Sequence, residues 1–70
     1  MPEDPELAQA RVLAKELRGH AAMLTREREY TTRPEALSRL RADLEAVRRQ
    51  LDRLHRRFPA LAQPPESLAS

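Results

Sequence analysis

The hydrophobic positions of the second half of the chain form one heptad pattern, here called the heptad seam. It consists of Leu37, Leu40, Leu44, Val47, Leu51, Leu54, Phe58 and Leu61. Successive members are three and four residues apart in alternation, which is the repeat of a helix that packs along another helix in a coiled coil. The pattern predicts a helix over residues 34–58, because Pro59 cannot continue it.

A second apolar stripe predicts an earlier helix over residues 5–30. It consists of Leu7, Ala10, Ala14, Leu17, Ala21 and Leu24, and Leu13 widens it. Asp4 is a good N-cap residue and Pro5 suits the first helical position. Gly19 costs about 1 kcal/mol relative to alanine in a helix interior. The stripe keeps its phase across this glycine, so we expect one helix, although a kink or a split there is the alternative.

A thinner stripe on another side of the first helix contains Val12, Met23 and Tyr30. A helix with two apolar faces commonly contacts more than one neighbour, so this stripe is a candidate second contact face. Isolated apolar residues on a surface are also normal.

Residues 31–33 are predicted to form the turn between the helices. Pro34 disfavours helical geometry at Arg33, and Thr32 with Glu35 has the spacing of a capping box. A connection of about three residues favours antiparallel neighbours. The fold class predicted is therefore all-α, an αα-hairpin in which Leu24 lies beside Leu40.

The hairpin is expected to occupy residues 5–58, with residues 1–4 as an N-terminal cap and residues 59–70 as a flexible, proline-containing tail. A chain of 70 residues without cysteine has a marginal core and no disulfide to strengthen it. Self-association into an antiparallel four-helix bundle would bury both stripes. A trimer, a tetramer or a complex with another protein would also bury these stripes.

The interface residues predicted for that association are taken from both stripes. They are Leu7, Leu17, Leu24, Leu37, Leu40, Leu44, Val47, Leu51, Leu54 and Phe58.

Charge is distributed unevenly, although the formal net charge is only +2. Residues 33–57 contain eight arginines and four acidic residues. Basic helices can neutralise nucleic-acid phosphates, so Arg49, Arg53 and Arg56 are candidate nucleic-acid contacts. Glu45 and Asp52 interleave with them and no aromatic residue is available for base stacking, so this reading is the alternative one.

Chemistry at a catalytic or metal site is not predicted. The chain has two histidines, His20 and His55, and the hairpin would hold them far apart. Asp52 and His55 have the spacing of a helical metal-binding pair, but Leu51 and Leu54 occupy the seam beside them. Glycine-rich phosphate loops and nucleophile–histidine–acid arrangements are absent. We therefore expect a non-enzymatic protein without a cofactor.

The location expected from sequence is the cytoplasm. The acidic start MPEDPE lacks the apolar region of a secretory signal, and no apolar run approaches the length of a membrane span, so no membrane partner is expected. Twelve arginines stand against one lysine, which is typical of a GC-rich coding genome and favours a bacterial source.

Function is predicted at the level of class. The first hypothesis is a protein–protein interaction module, either a homo-oligomeric helical scaffold or a small regulatory subunit of another protein. The alternative is a nucleic-acid-associated regulator that uses the basic face of the second helix.

Overall fold

The computed structural model describes residues 3–62. Two long helices, α1 (Pro5–Tyr30) and α2 (Pro34–Arg57), are followed by a short 3-10 helix at Pro59–Ala62. The helices α1 and α2 pack against each other, and the described residues contain no strand. The all-α helical hairpin predicted from the sequence is confirmed.

The start of α1 follows from its capping residues. The Asp4 carboxylate accepts a hydrogen bond from the backbone N–H of Glu6 at 3.2 Å, and Pro5 occupies the first turn. The Glu6 side chain adds negative charge at the positive end of the helix dipole. α1 then runs without interruption through Gly19, whose φ is not positive, so the helix is not split there.

Two extended residues, Thr31 and Arg33, make the turn. The Thr31 hydroxyl donates to the carbonyl oxygen of Glu27 at 2.7 Å, which satisfies one of the carbonyls left free at the end of α1. Arg33 is the N-cap of α2 and no side chain bonds to the cap. The predicted capping box of Thr32 and Glu35 is therefore wrong: Arg33, held extended by Pro34, is the N-cap of α2 in place of Thr32.

The half of the hairpin near the turn contains its bulky core. Leu24, Leu40, Leu44 and Val47 are buried together, and Leu17, Ala21 and Leu51 pack around them. The predicted proximity of Leu24 and Leu40 is seen in this cluster. A buried leucine or valine contributes about 1.5–3 kcal/mol through the surface it removes from water, so this cluster is the main source of hairpin stability.

The open half, where α1 begins and α2 ends, is packed differently. Here α1 buries two alanines, Ala10 and Ala14. Opposite them lie Leu54 of α2 and its C-cap residue Phe58, and both remain partly exposed. Alanine has too few atoms to cover a leucine or a phenylalanine. The open half therefore leaves apolar surface of α2 in contact with water.

The short 3-10 helix at Pro59–Ala62 packs on both long helices. Its backbone is anchored by the N–H of Leu61, which donates to the carbonyl oxygen of Phe58 at 2.9 Å. The Arg11 guanidinium donates to the carbonyl oxygen of Ala60 at 3.4 Å and to the Glu3 carboxylate at 2.6 Å. These two hydrogen bonds link α1, the residues that precede it and the 3-10 helix at the open end of the hairpin.

The sequence assigned residues 59–70 to a flexible tail. The structure differs for residues 59–62, because Phe58 caps α2 and the chain then folds back far enough for Ala60 to reach Arg11. Residues 63–70 lie outside the described residues.

Truncation of Leu44 to alanine should remove most of the helical circular dichroism at 25 °C. Leu44 lies in the buried cluster, and large-to-small core changes cost about 2–5 kcal/mol, which is comparable to the whole stability of a domain this small. Met23→Ala, at an exposed position of α1, is the control and should change the urea midpoint little. Equal effects of the two variants would contradict the assignment of the core.

Replacement of Gly19 by alanine should stabilise the protein. A Cβ at this position meets no atom within 4 Å, and alanine is favoured over glycine by about 1 kcal/mol in a helix interior. Thermal unfolding of Gly19→Ala followed by circular dichroism should show a higher midpoint. A lower midpoint would mean that the glycine is required for packing that the single chain does not show.

Candidate interaction surfaces

The predicted interface residues divide into two groups in the structure. Leu24, Leu40, Leu44 and Val47 are buried by the chain's own two helices. Leu7, Leu17, Leu37, Leu51, Leu54 and Phe58 are half-buried and keep part of their surface in water. The first group therefore holds the hairpin together, and only the second group has surface left for a neighbour. Their contact with another chain stays a prediction.

A groove, here called the end groove, runs between α1 and α2 in the open half. Two neighbouring depressions form it and share Leu13, Leu54 and Arg57. Its apolar lining is Ala10, Leu13, Leu17, Leu54 and Phe58, and its polar lining is Glu6, Gln9, Gln50, Arg53 and Arg57. The end groove exists because Ala10 is too small to fill the space in front of Leu54 and Phe58.

Leu13 is the large apolar residue of this groove that the predicted interface does not include. Its side chain is 46% exposed, whereas the neighbouring Ala14 is fully buried. The signal was its position three residues after Ala10 and four before Leu17, which places it on the flank of the main stripe. An exposed leucine beside half-buried apolar residues extends the apolar surface out to the rim of the groove.

The rim of the end groove has opposite charges on its two edges. Glu6 lies on the α1 edge, and Arg53 and Arg57 lie on the α2 edge. The Arg57 guanidinium lies 5.4 Å from the centre of the Phe58 ring, a cation–π contact that favours its position beside the apolar floor. Within residues 3–62, no ion pair joins Glu6 or Arg57 to another side chain.

The second contact face predicted on α1 is exposed. Val12, Met23 and Tyr30 are 59%, 61% and 80% exposed. At about 100° per residue, Val12 lies about 160° around the helix from both Ala10 and Ala14. This face therefore points away from α2, and Gly19, seven residues after Val12 and four before Met23, lies within it. The hairpin does not use this surface for its own packing.

The three arginines predicted as nucleic-acid contacts lie together. Arg49, Arg53 and Arg56 surround one surface depression of α2, and Asp52 lies in the same lining. The carboxylate of Asp52 reduces the positive potential there. Arg53 belongs both to this patch and to the rim of the end groove.

Between Glu3 and Ala62, no group of three histidine, cysteine, aspartate or glutamate side chains gathers in a way that could hold a metal ion. Neither long helix in that range is apolar enough over a sufficient length to cross a membrane.

No protein-family model, curated protein or solved structure matches this chain. The end groove combines apolar lining with charged edges, which is the make-up of a protein interface with an apolar centre and a polar rim.

Proposed function

We propose that this chain is a non-enzymatic protein–protein interaction module that self-associates into a homo-oligomeric helical scaffold. The observation that carries the proposal is the half-buried state of Leu37, Leu51, Leu54 and Phe58. These residues belong to one heptad seam on α2, and α1 covers only part of it. A second pair of helices, in a four-helix bundle, would cover the rest.

Size supports the proposal. Only six apolar residues are buried in the hairpin, and two of them are alanines. Hydrophobic cores of domains below about 70–80 residues rarely supply more than about 3–5 kcal/mol, and oligomerisation is one of the usual remedies. This chain has no cysteine, so a disulfide does not provide that stability.

The outer face of α1 gives the scaffold a surface for another protein. Val12, Met23 and Tyr30 lie away from α2 and away from the end groove, so association through the end groove would leave them accessible. The same face supports the related reading, in which the chain is a small regulatory subunit held by a larger protein.

Self-association should make stability depend on protein concentration. We expect the thermal midpoint of the full chain to rise over a hundredfold increase in concentration, because dissociation accompanies unfolding. The native mass, measured by light scattering at micromolar concentration, should be that of a dimer or larger oligomer.

The matched variants for this measurement are Leu54→Glu, in the floor of the end groove, and Ala42→Glu, at an exposed position of α2. The first should lower the native mass and the second should not. A fully helical monomer at every concentration would overturn the proposal.

Nucleic-acid association is the second candidate function, favoured by the convergence of Arg49, Arg53 and Arg56 on one depression. Each arginine there can neutralise one phosphate. The acidic side chain of Asp52 in the same lining counts against it.

The triple variant Arg49→Gln/Arg53→Gln/Arg56→Gln tests this second candidate. If the patch binds nucleic acid, the variant should elute from immobilised DNA at lower salt than a control with Arg18→Gln/Arg26→Gln/Arg28→Gln on α1. Both variants lose three charges, so they differ only in where the charges were. Elution of both at the same salt concentration would exclude the α2 patch as the binding site.

A further inference from the structure

The end groove specifies how two copies would face each other. We propose that a second copy of this chain covers the end groove with its own end groove, with both turns at the same end and α1 of each copy against α2 of the other. This inference rests on the self-association proposed above and adds its geometry. Two features of the hairpin, the location of its exposed apolar surface and the charges on the groove edges, lead to it independently.

The location of the apolar surface requires the open halves to meet. Leu13, Leu17, Leu54 and Phe58 line the groove in the open half, whereas the core of the turn half is already buried by the hairpin itself. In a twofold dimer the same patch contacts its own copy. If the two copies ran in opposite directions, each end groove would face the turn half of the other copy and stay largely uncovered.

The charges on the groove edges favour the same arrangement of the two copies. A twofold axis parallel to the helices places α1 of one copy against α2 of the other, so that Glu6 faces the partner's Arg57. An axis perpendicular to the helices places α1 against α1 and α2 against α2. Only the first arrangement brings the acidic edge to the basic edge. In the second, the copies run in opposite directions, so each basic edge faces the turn half of the other copy's α2.

Neither Glu6 nor Arg57 has an ion-pair partner within residues 3–62, so both charges are available for a partner. Both arrangements make every pair of adjacent helices antiparallel, as in up-down-up-down four-helix bundles, so the groove edges and the apolar surface decide between them.

The contact area suits a stable dimer. A face about 38 Å long and about 20 Å wide, the dimensions of two helices of this length side by side, covers roughly 750 Å². A standard protein interface buries about 800 Å² per partner. The hairpin face is therefore large enough for a specific dimer only if it is used along most of its length.

Mixing two charge-reversed variants tests the pairing of the edges. Glu6→Arg alone and Arg57→Glu alone each place like charges across the proposed interface, so each should dimerise more weakly than the natural chain. Mixed together, the variants should form a heterodimer in which residue 6 of each chain is opposite in charge to residue 57 of the other chain. The ratio of heterodimer to homodimers, measured by native mass spectrometry, should exceed its statistical value by about 5- to 50-fold.

Two features make this mixing experiment specific. Each substitution opposes its own helix dipole, but that effect is the same before and after mixing and cancels in the comparison. The control pair, Lys15→Glu mixed with Glu45→Lys, changes charges that do not line the end groove and should give the statistical share. A statistical mixture from the first pair as well would overturn the proposal.

A distance between the two turns tests the direction of the copies without touching the interface. The chain has no cysteine, so Thr32→Cys, at an exposed turn position, carries a single spin label per copy. With both turns at one end, the labelled backbones should be about 10–20 Å apart, the span of adjacent and diagonal helices in a bundle. Copies in opposite directions would separate the labels by about 38 Å, the length of a helix.

The outcomes separate this inference from the function it rests on. A dimer with a long distance between labels overturns the arrangement and leaves self-association standing. A monomer at every concentration overturns both. A chain that is monomeric but dimerises once residues 63–70 are deleted would show that this segment occupies the end groove, and would overturn the inference too.

Discussion

The shortage of apolar volume on α1 is the constraint on which the rest of this structure depends. The heptad seam has a leucine or another large apolar residue at every position, whereas the apolar stripe of α1 has alanine at Ala10, Ala14 and Ala21. Where α1 supplies Leu17 and Leu24, the two helices enclose a core. Opposite Ala10, the side chains of Leu54 and Phe58 extend past α1 and reach water.

The same imbalance explains why the open end needs additional contacts. α2 is followed by a 3-10 helix that packs on both long helices, and Arg11 bridges this segment to Glu3. The contacts of Arg11 are polar and lie at or near the surface, where an ion pair contributes about 0–1 kcal/mol. They position the chain ends but do not replace the apolar cover that Leu54 and Phe58 lack.

Sequence reasoning was most successful where the signal was periodic. The heptad spacing of α2 and the proline at the turn were enough to predict a two-helix hairpin. The prediction of the N-cap of α2 was wrong, because the choice between Thr32 and its neighbour does not follow from periodicity. Periodicity also does not predict contacts between residues distant in sequence, such as that between Arg11 and Ala60. Leu13 shows a third kind of limit, since periodicity locates a residue on a helix but does not reveal how much of it a small neighbour leaves exposed.

Arg53 belongs to both candidate interaction surfaces, which limits whether the two candidate functions can occur together. Its side chain lies both on the rim of the end groove and in the basic patch with Arg49 and Arg56. An arginine at the edge of a protein interface loses part of its exposure and its freedom to reach a phosphate. Self-association through the end groove would therefore weaken the basic patch. Neither process needs the outer face of α1, so a partner protein that binds Val12, Met23 and Tyr30 would be compatible with both.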